Sequence, residues 1–418
     1  MPRTGQQLYL ASRALTTLRL SAHPTVRRLS LRQKLAIYRV QRKSKMTRLG
    51  GRIYTNTFSP PWPSLAHDRF LEALVATGTG SPRPGLVNFA VTARCPCRCW
   101  HCSFSNRGAG EELSREEIVD ALGQVQALGA AMIGFTGGEP LLRRDLEELI
   151  AAVGERSTPL LFTTGAGLSR ARVRALAAAG LVMPVVSLDS DDPAVHDEGR
   201  GVPGMHAQAV RAVELFLEEG LYTSVSFVPT RALLSRPEAF WRTLGFIRDL
   251  GVHDMRLTSP ILSGKLTARP DEALLPEHVA LIREAQARLT RTPGEPGCFA
   301  YDVFESAEAF GCGAGYNYLF VDSRGNLCPC DFTMMSFGNL RQRPVAEVWR
   351  ELSERFCQPG CSCYATRIAG RVEASGAREW PLDPTTSRTI HAATPSADPA
   401  LPAFHQEMGF KCPAGRQL

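Results

Sequence analysis

Residues 93–104 read ARCPCRCWHCSF, so four of the twelve cysteines of this 418-residue chain fall within one short stretch. The four are Cys95, Cys97, Cys99 and Cys102. A second group lies between residues 312 and 363, and Cys298 and Cys412 stand apart. Cysteines grouped in this way in a long chain usually bind metal or carry out redox chemistry, whereas secreted disulfide scaffolds are short and cysteine-dense. The pattern therefore indicates metal sites.

The composition describes an ordinary globular chain with one unusual end. Hydrophobic residues make up 44% and charged residues 21%, which is typical of globular domains. No apolar run approaches the roughly 20 residues of a membrane span, and no secretory signal opens the chain. Residues 1–67 contain thirteen Lys and Arg and no acid, whereas the rest carries 35 basic and 41 acidic side chains. We therefore expect a mildly acidic, cytoplasmic body that carries a basic arm.

After Pro-rich connections, apolar strands alternate with amphipathic helices. The pattern predicts strands at 86–92, 131–136, 159–164, 182–189, 222–230 and 254–259, and helices at 114–129, 145–155, 168–180, 206–220, 237–251 and 276–289. Six such units predict an α/β fold with a parallel sheet, and six rather than eight indicate a partial (β/α)6 barrel. Four regions are expected: an arm and Pro-rich connection (1–84), the barrel (85–294), a cysteine-rich domain (295–370) and an irregular tail (371–418).

The first cysteine group follows the first strand, where parallel sheets carry their chemistry. Cys95, Cys99 and Cys102 form a C-x3-C-x2-C arrangement. Three thiolates can bind three irons of a [4Fe–4S] cube, which leaves the fourth iron open to a ligand. A zinc site is the alternative, with Cys97 or His101 as the fourth ligand. The spacing alone leaves both possibilities open.

The end of the second strand adds a second motif, TGGEP, with Gly137, Gly138, Glu139 and Pro140. Together the two motifs resemble the radical S-adenosylmethionine (radical SAM) superfamily, with His101 at a place that is usually aromatic. The resemblance implies that SAM binds the open iron and that its reductive cleavage gives a 5′-deoxyadenosyl radical, which removes a hydrogen atom from the substrate. An electron donor such as flavodoxin or ferredoxin is then required.

The same resemblance assigns further SAM contacts. The paired glycines would leave the backbone open to close approach, Glu139 would accept a hydrogen bond from the SAM ammonium group, and His101 would lie against adenine. The segment SLDSDDPAVHDEGRGVPG (187–204) is similar to a family segment that contacts SAM, and FTTGAG (162–167) is similar to a family turn. These similarities add Ser187, Asp189, Arg200 and Thr164 to the expected SAM site.

The second cysteine group resembles a SPASM domain or its shorter relative, the twitch domain. Cys312 and Cys330 flank a predicted β-hairpin that turns near Gly325, and CQPGCSC supplies Cys357, Cys361 and Cys363. The resemblance implies one auxiliary [4Fe–4S] cluster, bound by Cys312, Cys330 and two of those three, with Cys328 and Cys412 in reserve. Structural zinc is the alternative. An auxiliary cluster could bind substrate or accept an electron.

The basic arm has two interpretations. Residues 27–52 place Leu31, Leu35 and Tyr38 at helical spacing among Lys and Arg. The segment could be a helix that packs on the barrel, or a helix drawn to an anionic membrane surface through residues 1–50. A mitochondrial transit peptide has a similar composition. Nucleic acid is disfavoured because no aromatic stacking platform accompanies the charge.

The sequence thus favours a radical SAM enzyme of the SPASM or twitch type. A peptide or protein maturation reaction is the preferred function on family frequency. The same chemistry on a membrane-associated lipid or isoprenoid is the alternative, because it would explain the arm. A non-catalytic, metal-stabilised nucleic-acid-binding protein is the hypothesis from another class.

Overall fold

The computed structural model describes residues 6–7, 23–105, 110–394 and 400–411. Residue Cys412, a reserve ligand in the sequence analysis, lies outside these ranges. Ahead of the barrel the chain forms strand β1 (Gln6–Gln7), helices α1 (Pro24–Arg27) and α2 (Leu31–Gln41), strands β2 (Thr47–Leu49) and β3 (Arg52–Tyr54), and helix α3 (Leu65–Gly78). The three strands make a small antiparallel sheet.

The predicted alternation of strands and helices is confirmed. The strands are β4 (Leu86–Thr92), β5 (Met132–Gly137), β6 (Thr158–Thr163), β7 (Met183–Ser187), β8 (Ser224–Phe227) and β9 (Asp254–Leu257). The helices are α4 (Arg115–Ala127), α5 (Leu146–Val153), α6 (Arg170–Ala178), α7 (Pro193–Arg200), α8 (Met205–Glu218), α9 (Arg231–Leu234), α10 (Pro237–Asp249) and α11 (Pro276–Arg291).

The sheet extends beyond the six predicted strands at both edges. A seventh parallel strand, β10 (Gly297–Ala300), pairs with β9, and helix α12 (Tyr301–Phe304) follows it. On the other edge, β11 (Tyr318–Val321) pairs parallel with β4, and the short strands β12 (Asn326–Cys328) and β13 (Gly338–Asn339) continue the sheet. The order is β10-β9-β8-β7-β6-β5-β4-β11-β12-β13. Strand β10 lies beyond the barrel end predicted at residue 294, and the sequence does not reveal it because a four-residue strand is too short to show a pattern.

The parallel strands place one row of side chains under the helices and the other inside the barrel. On β4, Val87, Phe89 and Val91 are buried in the main core beneath the helices. The intervening residues point inward, and Asn88 is one of them. At the base of the barrel, Tyr54 of the N-terminal sheet stacks on Tyr222 with ring centroids 4.4 Å apart. The N-terminal sheet therefore plugs the base of the barrel.

The basic N-terminal region packs on the body. Ala36, Ile37 and Val40 of α2 are buried in one cluster with aromatic residues of the β10–α12 segment. The ammonium group of Lys45 donates to three backbone carbonyls at the end of α11, with distances of 2.6 to 2.9 Å. A cation at the C-terminus of a helix is stabilising because the last carbonyls lack partners. The packed-helix interpretation of this segment agrees with the structure.

The C-terminal region is helical where an irregular tail was expected. Helices α13 (Val345–Arg355), α14 (Tyr364–Ala374), α15 (Pro384–Ala393) and α16 (Ala403–Met408) follow β13. Asp383 caps α15 by accepting from the N–H groups of its first turn. Phe404 and Met408 of α16 are buried against α2. Both helices are short, and their stability comes from tertiary contacts that the Pro-rich sequence does not reveal.

Within the ranges given above, no helix combines the length and the apolar character needed to cross a membrane.

Candidate functional site

The loop after β4 carries the first cysteine group on the wall of a cavity of about 510 Å³. Four thiols line this cavity: Cys95, Cys97, Cys99 and Cys102. Cys97 is hydrogen-bonded to both Cys95 and Cys99. We call residues 93–105 the cluster loop. The loop thus presents its sulfur atoms to a single space at the C-terminal ends of the strands.

The surroundings of the loop favour thiolates at two positions. Hydrogen bonding to Cys97 and the nearby Arg200 guanidinium together lower the pKa of Cys99 to about 6, in spite of its burial. Hydrogen bonding to Cys97 also lowers the pKa of Cys95, whereas burial raises that of Cys102. Because thiolates are the metal-binding form of cysteine, two sulfurs of the loop are prepared for a metal.

The donor set suits an iron–sulfur cluster better than a single ion. No three His, Cys, Asp or Glu side chains are arranged to hold one metal ion, as far as the structure describes the chain. The zinc site considered from the sequence, with Cys97 or His101 as fourth ligand, therefore has no preformed geometry. In a cube each cysteine binds its own iron, so several thiols that line one cavity fit that group.

Three elements hold the cluster loop by its backbone, and the first is the end of β5. The N–H of Gly138 donates to Thr92 O (2.8 Å), and the N–H of Glu139 donates to Arg94 O (2.8 Å). A Cβ on Gly138 would lie 2.1 Å from Arg94 O, and one on Gly137, whose φ is +127°, would lie 2.4 Å from Thr92 O. The paired glycines therefore make room for the backbone of the cluster loop. The sequence analysis expected them to make room for SAM and did not include this contact.

The second element is the end of α7. The N–H of Arg98 donates to the carbonyl of Arg200 (2.8 Å), and that of Trp100 donates to the carbonyl of Gly199 (3.3 Å). Asp192 caps the start of this helix through the N–H of Ala194. Helix α7 was not predicted as a separate element. It delivers Arg200 to the cluster loop.

The third element is the turn after β9. Lys265 donates from its backbone N–H to Cys102 O (3.2 Å) and from its ammonium group to Arg98 O (3.2 Å) and Cys99 O (3.0 Å). A Cβ on Gly264 would lie 2.3 Å from Cys102 O. Sequence reasoning missed both residues, because no motif marks a turn whose partner lies more than 160 residues away.

Glu139 is fully buried, and four protein donors satisfy its carboxylate. Oε1 accepts from the N–H of Leu141 (3.1 Å) and the hydroxyl of Thr163 (2.6 Å). Oε2 accepts from the N–H (2.7 Å) and the hydroxyl of Thr164. Neither Glu139 nor Pro140 lines the cavity. In this geometry Glu139 joins the ends of β5 and β6, and its contact with the SAM ammonium group stays a prediction.

Arg200 and Asp189 form a buried ion pair beside the cluster loop. The guanidinium pairs with the Asp189 carboxylate, and its Nη1 lies 3.6 Å from Cys99 Sγ. Burial alone would raise the pKa of Asp189, but Arg200 and the other neighbouring groups together outweigh it and the net pKa is lowered. Burial alone would lower the pKa of Arg200, but Asp189 and Cys99 together outweigh it and the net pKa is raised. Both groups remain ionised. Arg200 and Ser187 line the cavity, whereas Asp189 lies behind them.

His101 and Thr164 also line the cavity. Burial lowers the pKa of His101 to about 4, so its ring is neutral at physiological pH. Its Nδ1 is buried and has no hydrogen-bond partner among the residues described. The ring packs edge-on against Trp100 at 5.5 Å. A neutral ring with an unused polar atom suits contact with a bound cofactor.

The second cysteine group lines an adjoining cavity of about 370 Å³. Its thiols belong to Cys312, Cys330, Cys361 and Cys363. Cys312 and Cys363 are hydrogen-bonded to each other, and that bond lowers the pKa of Cys363 to about 6 while raising that of Cys312. Of the three candidates that follow Cys330, Cys361 and Cys363 line this cavity.

The remaining cysteines lie elsewhere. Cys357 does not line the second cavity. Cys328 is buried in β12 against Ala90 and Phe320, so a ligand role for this reserve residue has no geometric support. Cys298 is buried in the main core. No disulfide joins any of the eleven cysteines that the structure describes.

The two cavities share a wall. The residues common to both are Thr258, Ser259, Ile261, Tyr301, Asp331 and Phe332. Asp331 Oδ2 accepts from the Tyr318 hydroxyl (3.3 Å) and the Asn88 amide (3.4 Å). Sequence reasoning missed Asp331, although its place directly after Cys330 is a signal. It also missed Arg256, a charged residue on an interior position of β9.

A partial α/β barrel with two cysteine-lined cavities defines an iron–sulfur enzyme fold, and comparison with known proteins identifies it. Residues 89–230 match the radical SAM superfamily, and residues 312–365 match the iron-sulfur cluster-binding SPASM domain. The chain therefore carries a radical SAM domain and a SPASM domain. It is an enzyme whose cofactors are SAM and [4Fe–4S] clusters. The hypothesis of a non-catalytic nucleic-acid-binding protein is therefore wrong.

Individual relatives agree on the family. The chain is 27% identical to the AdoMet-dependent heme synthase of Nitratidesulfovibrio vulgaris over 67% of this chain and 82% of that protein. It is 28% identical to the PqqA peptide cyclase of Streptomyces rochei over 78% of this chain and 96% of that protein. The structure of Streptococcus suis SuiB bound to S-adenosylmethionine has the same fold, with a TM-score of 0.58 and 16% identity over 77% of this chain and 80% of that one.

The contact between β5 and the cluster loop predicts the effect of Gly138→Ala. The added Cβ displaces the Arg94 carbonyl, so we expect the reconstituted variant to lack the iron of the first cluster. Gly123→Ala is the matched control, because this helical glycine has nothing within 4 Å of its Cβ position. Iron and sulfide analysis checks both variants. Full iron content in Gly138→Ala would contradict the proposed constraint.

The four hydrogen bonds of Glu139 predict that Glu139→Gln destabilises the protein even without cofactors. The amide NH₂ would face a donor, which costs about 1–3 kcal/mol for a buried group. The urea midpoint of the cluster-free protein measures this change. Glu148→Gln, at a side chain 57% exposed, should change it by less than about 0.5 kcal/mol. An unchanged midpoint for Glu139→Gln with weakened SAM binding would instead favour direct contact with SAM.

Proposed function

We propose that this radical SAM enzyme matures a peptide or protein substrate. The observation that carries the proposal is the similarity to PqqA peptide cyclase, which extends over 78% of this chain and 96% of that protein. The shared wall of the two cavities adds structural support, because a substrate segment that lies there is within reach of both cysteine groups.

Cys95, Cys99 and Cys102 are the proposed ligands of the first cluster, with SAM in the same cavity. The bound cluster and SAM supply one-electron cleavage of the sulfonium bond to a 5′-deoxyadenosyl radical, which takes a hydrogen atom from substrate. Arg200 keeps a fixed positive charge beside Cys99. His101, Ser187 and Thr164 line the space that SAM would fill. Cys97 is placed to hydrogen-bond with its neighbours and is not a proposed ligand.

Cys312, Cys330, Cys361 and Cys363 are the proposed ligands of one auxiliary cluster. Four protein thiolates leave no iron open, which favours electron transfer over substrate binding. Asp331 Oδ2 is held by Tyr318 and Asn88 at the wall between the cavities. Oxidation of a substrate radical releases a proton as well as an electron. Asp331 is positioned to accept that proton beside the site that would accept the electron.

The first step needs an electron from outside the chain, and a flavodoxin or ferredoxin is the proposed donor. A cytoplasmic location is proposed with it, because such donors act there and no disulfide joins the cysteines that the structure describes.

The triple variant Cys95→Ala, Cys99→Ala and Cys102→Ala tests the first cluster. Wild type should contain about eight irons per chain, and the variant about four, because only the auxiliary cluster remains. The variant should form no 5′-deoxyadenosine from SAM under reduction. Peptides encoded beside this gene should stimulate wild-type 5′-deoxyadenosine formation and change mass.

Cys97→Ser is the control and should retain both iron and SAM cleavage. SAM cleavage by the triple variant would refute the ligand assignment. Coupled SAM cleavage with an isoprenoid or another non-peptide substrate, and none with any such peptide, would refute the substrate class.

A membrane-associated substrate is the second candidate, and an exposed surface on α2 favours it. Leu31, Leu35 and Tyr38 occupy one helical face and are 74%, 41% and 45% exposed. Exposed arginines at 27, 28, 32 and 42 surround this face. An apolar stripe with basic flanks is typical of helices that lie on anionic membranes.

Surface variants test this membrane contact without removing a packed helix. We expect the triple variant Leu31→Ser, Leu35→Ser and Tyr38→Ser to reduce co-sedimentation with phosphatidylserine vesicles at least threefold, because the apolar stripe is lost. Val195→Ser, at another exposed apolar residue, is the control. Equal binding of the triple variant, or no preference of wild type for anionic over neutral vesicles, would exclude the contact.

A further inference from the structure

An arginine inside the barrel has a buried donor without a partner. Arg256 on β9 is 5% exposed and lines the first cavity. Its Nη2 donates to the hydroxyl of Tyr301, whereas its Nη1 is buried and has no hydrogen-bond partner. It forms no ion pair with any residue that the structure describes. A buried guanidinium without a counter-charge is costly, so this position calls for an anionic ligand.

Aromatic rings fix the direction in which Arg256 points. The guanidinium carbon lies 4.2 Å from the ring centroid of Phe58, 4.9 Å from that of Phe162 and 5.0 Å from that of Tyr301. Cation–π contacts of this kind hold an arginine without neutralising it. Phe58 comes from the N-terminal region and stacks on Phe299 at 4.1 Å. The rings leave the cavity as the direction from which an anion can reach Nη1.

The nearest acids do not supply the missing charge. Asp254 lies two residues back on the same face of β9, and burial raises its pKa to about 8 in spite of Arg256. Asp254 is therefore largely protonated at neutral pH. Neither Glu305 nor Asp331 forms an ion pair with Arg256, and Asp331 Oδ2 accepts instead from Tyr318 and Asn88.

We propose that Arg256 binds a carboxylate of the substrate, such as a glutamate or aspartate side chain or a peptide C-terminus. The inference rests on the proposed function for the peptide class. SAM also has a carboxylate, but Arg200 is the arginine that contacts the cluster loop. Arg256 contacts Tyr301 instead, which lies in the wall shared with the second cavity. The carboxylate would hold the reacting carbon between the two cysteine groups.

A matched pair of small probes tests the inference. N-acetyl-L-glutamate α-methylamide and its glutamine counterpart differ only in carboxylate against carboxamide. Isothermal titration of the cluster-reconstituted protein, with and without SAM, should show at least tenfold tighter binding of the acid. Arg256→Gln should abolish this preference, and Arg256→Lys should retain part of it. Arg283→Gln, at a half-exposed arginine of the second cavity, should leave it unchanged.

Equal or undetectable binding of the two probes by wild type overturns the inference, as does a preserved preference in Arg256→Gln. Iron content and thermal melting verify that each variant folds, and the wild-type comparison does not depend on them. Loss of SAM affinity in Arg256→Gln would assign the carboxylate to SAM and also overturn the substrate assignment. If the wild-type protein binds the glutamate probe more tightly but cleaves no SAM, the proposed function is refuted and the carboxylate site at Arg256 is not.

Discussion

Backbone hydrogen bonds from three separate elements hold the cluster loop, and the site depends on this constraint. The end of β5, the end of α7 and the turn at Lys265 each bond to loop carbonyls or N–H groups. Phe104 near the end of the loop packs edge-on against Phe320, but the four cysteines line the cavity, so hydrophobic packing cannot position the cysteine-bearing part of the loop. Its order comes instead from satisfied backbone groups, and two of the elements approach so closely that they require glycine at 138 and 264.

The placement of charge follows from the same requirement that buried polar groups have partners. Glu139 uses all its acceptor capacity within the protein, and Asp189 neutralises Arg200 while leaving that guanidinium beside Cys99. Arg256 has rings around it in place of an acid. A buried ion that the protein already neutralises is part of the scaffold, whereas a buried ion that it leaves unneutralised is open to a ligand.

The regions outside the barrel contribute residues to the barrel base and to the cavities. Tyr54 closes the base of the barrel against Tyr222, and Phe58 reaches Arg256. Strand β11 pairs with β4, so the hairpin that carries the auxiliary cysteines belongs to the same sheet as the cluster loop. This shared sheet gives the two cavities a common wall.

The sequence by itself determined the fold class, the order of the six units and the two cysteine groups. These features are local: alternation of apolar residues depends on neighbours a few positions apart, and the cysteine spacing is contained in one loop. Only the tertiary structure decided that Glu139 faces two threonines, that Cys361 and Cys363 share a cavity with Cys312, and that Nη1 of Arg256 lacks a hydrogen-bond partner. Each of these contacts involves residues that are distant in the chain. A local sequence pattern does not show which distant groups will hydrogen-bond to a buried polar atom and which buried atoms will have no partner.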